Sequence, residues 1–318
     1  MRRESGGASM EQVNKLALRK KPIFFKSGLS YKKQRYLFIY SCLLLPLLFF
    51  VIVRILPIAY AFNIGFREWD LLSEEKPFVG FDNYAALFQD TKFIRSLGNT
   101  FVYVLIGVPG QLITGLAVAL LLHKLHVSRG LYRTLYFIPY ITSVVAVSWV
   151  FRWIFMKNGV INALLLKLGL EPQLFLGSPS QAIFIVIAAM IWQSIGFQMI
   201  VFLSGLENIP VLYYDAASID GANRWQRFRY ITLPLLNPVL VFSVIIASIS
   251  YLQSFTQVLN MTLGGPLNST VSLVLYIYDM AFKHFNMGEA AAATVVLFVI
   301  ILLLSLLQMK ILSSKTEY

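Results

Sequence analysis

Residues 290–309 read AAAATVVLFVIILLLSLLQM, twenty consecutive residues without a charged side chain. About 20 apolar residues in a helix cover the hydrocarbon core of a bilayer, which is about 30 Å thick. A soluble domain seldom contains such a run, because its helices keep one polar face toward water. The run therefore predicts a membrane-spanning helix, and comparable runs precede it along the chain.

The composition of the whole chain leads to the same interpretation. Of its 318 residues, 58% are hydrophobic and 13% are charged, which is about half the charged fraction of a typical soluble protein. The mean hydropathy is also high, at +0.69. These values exclude an ordinary soluble protein. The single cysteine, Cys42, excludes an internal disulfide bond and a cysteine-based metal cluster.

Six apolar runs in the sequence are long enough to cross a membrane. Pro109 and Gly110 predict a kink in the second of them, and Arg133 and Arg152, at the ends of the third, are expected to reach opposite membrane interfaces. The stretch 271–278 is apolar but too short to cross. The sequence thus predicts an all-α integral membrane protein with spans at residues 36–61, 97–122, 134–153, 181–203, 235–254 and 290–309.

The distribution of basic residues indicates the orientation of these spans. Segments on the side of the N-terminus contain eighteen Lys and Arg residues, and segments on the other side contain seven. Cytoplasmic loops of membrane proteins collect Lys and Arg, so both termini are expected in the cytoplasm. The net charge of +12 is then a topology signal, and nucleic-acid binding is not expected.

The two ends of the chain fit this topology. Residues 1–35 are predicted to form a basic cytoplasmic leader, residues 36–312 the transmembrane domain and residues 313–318 a cytoplasmic tail. A cleaved signal peptide is the other interpretation of a basic start and an apolar run. The leader is too long for one and no small-residue cleavage site follows, so we expect the first span to be retained.

Several kinds of functional chemistry are missing from the sequence. The six predicted spans contain no Asp or Glu, whereas an ion-coupled carrier usually has an ionisable residue near the middle of the membrane. The phosphate-binding loop G-x-x-x-x-G-K-[ST] is also missing, so the chain is not expected to bind nucleotide phosphates in that way, and if it takes part in active transport the energy must come from another subunit. His123 and His126 have a ligand-like spacing, but no third ligand accompanies them, and no metal site is expected.

The segment 207–234, between the fourth and fifth spans, contains signals for two short helices. Pro210 suits the first turn of a helix, and Gly221 suits the left-handed position that ends one. Asp220 or Asn223 can cap the second helix. The apolar side chains of the segment fit either the groove of a soluble partner or the membrane surface, and both interpretations stay open. These side chains are Leu212, Ile219, Trp225 and Phe228.

The same segment resembles the coupling loop of the permease subunits of binding-protein-dependent ABC importers. That family has the pattern E-A-A-x-x-D-G-A, followed by F-x-x-I-x-L-P. Here the first part begins with Asp215 in place of Glu, which keeps the charge and shortens the side chain by one methylene group. The resemblance implies that the loop docks an ATPase subunit through the matching residues Asp215, Ala216, Ala217, Asp220, Gly221, Ala222, Phe228, Leu233 and Pro234.

The resemblance extends from about residue 39 to residue 309 and favours the sugar-type branch of the family, with landmarks such as Gly264-Gly265-Pro266 in the last outer loop. It implies the type I ABC importer permease fold and import of a sugar or oligosaccharide across the bacterial cytoplasmic membrane. The implied partners, besides membrane lipid, are a second and different permease subunit, two ATP-binding subunits and an extracytoplasmic solute-binding protein. ATP and Mg are expected on the ATPase subunits, so this chain is expected to hold no cofactor and to catalyse no reaction.

Substrate contacts are expected where the fourth and fifth spans carry neutral polar and aromatic side chains, because sugars combine hydroxyl groups with apolar ring faces. By distance from the coupling loop and the outer-loop landmark, six residues lie near positions that line the sugar site of the resembling permeases: Gln193, Ser194, Phe197, Ser250, Tyr251 and Ser254. Packing between helices is the alternative role for Ser and Gln. For the whole chain, the alternatives are a permease for another small polar solute, an ion-coupled secondary carrier, and a membrane-embedded enzyme or scaffold.

Overall fold

A computed structural model describes residues 31–125 and 128–312 of the chain. Most of the basic leader, His126 and the C-terminal tail lie outside the described residues. The chain forms two compact units, of which the first ends at Pro57 and the second begins at Ile58. The described part of the first unit is helical, and the second unit contains the other helices.

The first helix, α1 (Tyr31–Gly65), contains one wide turn at Val51–Ile55. In this turn the backbone N–H of Leu56 bonds to the carbonyl of Val51, five residues earlier. Pro57 follows directly, and its ring has no N–H and clashes with the carbonyl four residues before it. The wide turn absorbs this clash without ending the helix, and it contains Arg54, the charge that interrupts the first predicted span.

The remaining helices follow in chain order, joined mostly by short connections. They are α2 (Asp82–Gln89), α3 (Thr91–His123), α4 (Arg129–Ile141), α5 (Val144–Phe155), α6 (Val160–Lys167), α7 (Ala182–Glu207), α8 (Val211–Ile219), α9 (Arg224–Leu235), α10 (Asn237–Leu252), α11 (Thr256–Met261), α12 (Leu273–Phe282) and α13 (Met287–Leu312).

Five helical stretches among the described residues are long and apolar enough to cross a membrane. They are Tyr31–Gly65, Thr91–His123, Val144–Lys167, Ala182–Glu207 and Met287–Leu312. A sixth arises when α9 and α10, which meet at an angle of 67°, are counted as one bent span. The all-α membrane fold predicted from the apolar runs is therefore confirmed.

Proline lies both at the bend in the sixth stretch and inside the continuous helix α3. Pro234 and Pro238 flank the junction between α9 and α10, and neither can donate a backbone hydrogen bond across it. In α3, by contrast, the helix continues without interruption through Pro109 for 33 residues. The helix thus breaks between Pro238 and Pro234, the last residue of the segment 207–234, which is called the coupling segment from here on. At Pro109, where the sequence predicts a kink, the helix continues without a break.

The third predicted span, 134–153, differs from the structure because α4 ends at Ile141 and α5 begins at Val144. Pro139 lies in the last turn of α4 and lacks the N–H that would continue the ladder. Thr142 is extended, and its carbonyl accepts a hydrogen bond from the side-chain amide of Gln193 at 3.3 Å. A neighbouring helix therefore satisfies the backbone group that the break exposes, which is how membrane proteins tolerate such breaks.

Arg152, at the end of the third predicted span, contacts a distant part of the chain. Its guanidinium donates to the carbonyl of Asn260 at 3.2 Å and lies over the ring of Trp149. The side chain therefore ties α5 to α11. Arg133, the other arginine of the third predicted span, binds Glu207 at the end of α7.

Two buried clusters form the core of the second unit, and a polar layer lies between α3, α7 and α10. The larger cluster includes Tyr103 and Tyr251, and the smaller one includes Phe202 and Leu206 near the end of α7 that leads to the coupling segment. In the polar layer, buried Gln198 accepts from the amide of Gln111 at 3.3 Å and donates to the hydroxyl of Ser243 at 2.7 Å. Inter-helix hydrogen bonds of this kind hold membrane helices in register.

The crossing of α4 over α7 depends on Gly196. A methyl group at this position would overlap the carbonyl oxygen of Tyr136 and approach the Cα of Phe137 to 2.7 Å. Both are backbone atoms of α4, so they cannot move aside as a side chain would. Helices in membranes approach this closely only where one of them carries a small residue.

Replacing Gly196 with alanine is expected to destabilise the chain by about 1–3 kcal/mol, because the added methyl group forces α4 away from α7. Thermal unfolding of the purified protein in detergent, followed by tryptophan fluorescence, measures the effect. The matched control is Gly98→Ala in α3, where nothing lies within 4 Å of an added Cβ. Equal melting temperatures for the two variants would contradict the role given to Gly196.

Candidate functional site

Helix α8, the first helix of the coupling segment, ends in a glycine-dependent cap. Gly221 has a φ of +77°, the left-handed conformation expected from the sequence. The N–H of Ala222 bonds to the carbonyl of Ala217 at 2.9 Å, and the N–H of Gly221 bonds to that of Ser218 at 3.2 Å. This is the Schellman pattern, which satisfies the last carbonyls of a helix and reverses the chain.

The second helix of the segment, α9, begins with a capping box at Asn223. The side chain of Asn223 accepts from the N–H of Gln226 at 2.9 Å, and the side chain of Gln226 accepts from the N–H of Asn223 at 2.7 Å. Of the two cap candidates that the sequence offers, the structure therefore uses Asn223 and not Asp220. Only Gly221 and Ala222 separate the two caps, so the turn between α8 and α9 is short and fixed at both ends.

Two side-chain bonds fasten α8 to α9. The hydroxyl groups of Tyr214 and Thr232 lie 3.0 Å apart, and Arg227 donates to the hydroxyl of Ser218 at 2.9 Å. These contacts use one face of α8. On the other side, Leu212 is 76% exposed and Ile219 is 87% exposed. The segment is therefore a braced helical pair with an apolar outer face and with Asp215 and Ala216 exposed on it.

Glu207, the last residue of α7, joins the start of the coupling segment to α4. Its carboxylate binds the guanidinium groups of Arg129 and Arg133, each at 2.5 Å. Both arginines lie in the first half of α4, whose other end is the break at Thr142. Helix α4 therefore extends about 20 Å from the coupling segment to the helix break, at 1.5 Å per residue.

A cavity of about 210 Å³ lies where two helix breaks meet, one between α4 and α5 and one between α10 and α11. Unwound backbone is found at membrane depth mainly where it lines a binding cavity. The residues that line this cavity are Val144, Met190, Ser194, Ser250, Tyr251, Gln253, Ser254, Phe255, Thr256 and Gln257. All of them are uncharged, and most of the polar ones can both donate and accept hydrogen bonds.

Four of the six substrate candidates from the sequence line this cavity: Ser194, Ser250, Tyr251 and Ser254. Within the described chain, the hydroxyl groups of Tyr251 and Ser254 are buried without a hydrogen-bond partner. Buried hydroxyl groups are usually paired, so these two are suited to bind a polar ligand. The ring of Tyr251 packs against Gly107 of α3, where any larger residue would displace it.

The other two candidates, Gln193 and Phe197, do not line the cavity and contact the helices around it. Gln193 bonds to the carbonyl of Thr142 and accepts from the amide of Gln257, each at 3.3 Å. Phe197 stacks on the ring of Tyr140, with the ring centroids 5.1 Å apart. Gln193 therefore connects both helix breaks, and Phe197 packs against the last turn of α4.

Sequence reasoning did not select Gln253, Thr256 and Gln257 as substrate candidates, although they line the cavity. The available signal was their polarity within a long uncharged stretch, directly after a span. Their position depends on the break between α10 and α11, which no proline or glycine marks.

The end of the protein away from the coupling segment is held by an ionic cluster around Asp279 of α12. Lys92 of α3 binds one carboxylate oxygen at 2.8 Å and Lys283 binds the other at 2.6 Å. Burial raises the pKa of Asp279, but the two lysines outweigh it, and the pKa lies below its usual value. The cluster fastens the outer helix α12 to the start of α3.

Replacing Asp279 with asparagine is expected to lower the melting temperature at neutral pH, because two lysines lose their carboxylate partner. A carboxylate with a depressed pKa stabilises the fold above its unfolded-state pKa, and the stabilisation is lost as the pH falls through the folded-state value. The difference between the wild type and Asp279→Asn should therefore shrink below the ordinary pKa range of Asp. Melting curves between pH 3 and pH 8 measure it, and a pH-independent difference would contradict the assignment.

Comparison with known proteins places this geometry in a family. The family described as binding-protein-dependent transport system inner membrane component matches residues 83–318. The probable ABC transporter permease protein YesP of Bacillus subtilis (strain 168) is 39% identical over 274 residues, which are 85% of this chain and 88% of YesP. The lactose transport system permease protein LacF of Rhizobium radiobacter is 39% identical over 238 residues, 73% of this chain and 80% of LacF.

A solved structure shares the fold. It is the crystal structure of a bacterial ABC transporter involved in the import of the acidic polysaccharide alginate, and one of its chains is 26% identical to this one. The TM-score is 0.79, and the match covers 89% of this chain and 98% of the transporter chain. The chain therefore belongs to the family of binding-protein-dependent transport system inner membrane components.

Proposed function

We propose that the chain is a pore-forming permease subunit of an ATP-driven importer for a sugar or oligosaccharide. The observation that carries the proposal is the uncharged, hydrogen-bonding cavity at the two helix breaks. Hydroxyl-rich neutral solutes require neutral donors and acceptors next to apolar ring surfaces, and the cavity offers both. The name of LacF states lactose transport and the solved transporter imports an acidic polysaccharide, so both handle carbohydrates, which supports a carbohydrate substrate here.

The coupling segment 207–234 is the proposed docking site of the ATPase subunit. Its outer face carries exposed apolar side chains at Leu212 and Ile219, and an amphipathic helix of this kind fits a groove of a partner. ATP and Mg would be bound by that partner. Movement of the docked segment would pull on Glu207 and, through α4, on the break at Thr142 that borders the cavity.

The proposed assembly contains this chain, a second and different permease subunit, two ATP-binding subunits and an extracytoplasmic solute-binding protein. It would lie in the bacterial cytoplasmic membrane with both termini of this chain inside. The family description supports a binding protein as partner. In this assembly the chain itself would hold no cofactor, and ATP would be hydrolysed only in the partner subunits.

Uptake by reconstituted vesicles tests the proposal. The chain is purified from its source membrane with the subunits that copurify with it, and vesicles loaded with ATP are offered labelled lactose and alginate oligosaccharides together with the copurifying binding protein. Uptake is expected with ATP inside and without an ion gradient. Uptake that follows a proton or sodium gradient and ignores ATP would establish the ion-coupled carrier instead.

A further inference from the structure

A second cavity lies on the inner side of the coupling segment. Its volume is about 630 Å³, three times that of the candidate substrate cavity. The end of α3, the end of α7 and the helices α8 and α9 enclose it. The residues that line it are Leu120, His123, Lys124, Leu206, Tyr214, Arg224, Trp225, Arg227, Phe228 and Thr232.

Uncompensated positive charge converges on this cavity. Lys124, Arg224 and Arg227 all line it, together with His123, and no carboxylate does. Within the described parts of the chain, neither Lys124 nor Arg224 forms an ion pair, and Arg227 is bonded to a neutral hydroxyl group. The nearby Glu207 is already bound by Arg129 and Arg133. Cations held this close repel one another, so the site favours an anion.

The rest of the wall is apolar, which identifies the kind of anion. Leu120 and Leu206 line it, as do Trp225 and Phe228, whose ring centroids lie 5.7 Å apart. A free phosphate or a carboxylate side chain would leave most of this surface without a partner. An amphiphile with a phosphate head and an apolar body fills both parts of the cavity.

The position of the cavity separates it from the docking face of the coupling segment. Tyr214 lines the cavity, whereas Leu212 and Ile219 are exposed. At 100° per residue, Tyr214 points about 200° away from Leu212 around α8, so the cavity and the exposed face lie on opposite sides of the helix. An ATPase docked on the exposed face of α8 would leave the cavity free, and Phe228, which the resemblance assigned to docking, lines the cavity and not that face.

We infer that this cavity is a binding site for an anionic phospholipid of the cytoplasmic leaflet. Lys124 and Arg224 hold the phosphate, and Trp225 and Phe228 cover the glycerol and the first part of the acyl chains. Basic pockets at the cytoplasmic ends of membrane helices bind anionic lipid headgroups, and Trp is favoured at this depth. The bound lipid would lie between α3 and the coupling segment and would restrict the movement of the coupling segment. It would contact neither substrate nor ATP.

Native mass spectrometry of the purified complex, titrated with phosphatidylglycerol and with phosphatidylcholine, tests the inference. Each basic residue near a membrane surface contributes about fivefold to anionic-lipid binding, so Lys124→Gln with Arg224→Gln should weaken phosphatidylglycerol binding about 25-fold. The matched control is Arg229→Gln, which removes an exposed charge from the same segment outside the cavity. Lys124→Arg with Arg224→Lys keeps both charges and should retain binding. Retained binding would show that the neutral variant loses lipid because it loses charge, and not because the two side chains are altered.

Three results would overturn the lipid assignment. The first is equal phosphatidylglycerol binding by the Lys124→Gln, Arg224→Gln double variant and the Arg229→Gln control. The second is displacement of the lipid by glycerol 3-phosphate at equal concentration, which would make the ligand a water-soluble phosphate. The third is loss of the copurifying ATPase from the double variant while lipid binding is unchanged. This result would show that the ATPase, and not a lipid, binds at the cavity. None of these measurements depends on transport, so they are independent of the proposed sugar import.

Discussion

Replacing Gly221 with valine is expected to reduce binding-protein-dependent uptake by tenfold or more while the chain still inserts into the membrane. Gly221 adopts a φ of +77° at the end of α8, and a β-branched residue there costs about 1–2 kcal/mol or more. Nothing lies within 4 Å of a Cβ at this position, so the effect cannot come from a clash. The strain would be relieved by undoing the turn, which detaches α8 from its capped partner α9.

The matched control for this variant is Gly221→Asn, because asparagine tolerates the left-handed region and should keep most of the uptake. Uptake into vesicles and ATP hydrolysis stimulated by the binding protein are measured on the same preparations. Valine should lower both measurements, since the docked segment no longer transmits motion. Normal uptake by the valine variant at normal expression would show that transport does not depend on the turn between α8 and α9.

The local structure of the coupling segment was predictable because its signals act over a few residues. A glycine after an apolar helix predicts a left-handed cap, and Asn223 three residues before Gln226 is the capping-box spacing. The left-handed cap at Gly221 is confirmed, and Asn223, one of the two N-cap candidates, caps α9. The sequence left Asn223 and Asp220 open, although Gln226 three residues after Asn223 was a signal that favours Asn223.

The spans were predictable from apolar run length, but their breaks were not. The break at Thr142 is stable because Gln193, 51 residues away, satisfies the exposed carbonyl. Arg152 likewise donates to the carbonyl of Asn260, 108 residues away. Sequence reasoning over a window of about 20 residues cannot identify partners at these distances.

Only some of the residues that line the candidate substrate cavity were predicted, because the others are placed there by a helix break. Ser250, Tyr251 and Ser254 follow one another at helical spacing, so a polar face on the fifth span was visible in the sequence. Thr256 and Gln257 line the cavity beyond the break between α10 and α11, which the sequence does not mark. The alternative role of interhelical packing applies elsewhere: Ser248 accepts a hydrogen bond from Gln308 at 2.7 Å and faces α13.

Replacing Glu207 with arginine is expected to have the second large effect, a loss of uptake of tenfold or more. The new cation would face Arg129 and Arg133, which both bind Glu207 at 2.5 Å. An attraction between α4 and α7 becomes a repulsion at the point where the coupling segment begins. ATP hydrolysis would continue, because the docking face at Leu212 and Ile219 is unchanged, but less of it would be converted into transport.

The ratio of ATP hydrolysed to sugar imported distinguishes this effect from simple misfolding. Glu207→Arg should raise the ratio, whereas an unfolded subunit would lower hydrolysis and uptake together. Combining it with Arg133→Glu restores one opposite-charge pair across the same helices and should recover part of the uptake, since the pair acts through charge and position. Glu207→Gln keeps hydrogen bonding without the charge and should fall between the wild type and Glu207→Arg. If the double variant imports no better than Glu207→Arg alone, α4 does not transmit the motion, and the cavity at Thr142 must be coupled to the ATPase through α7 directly.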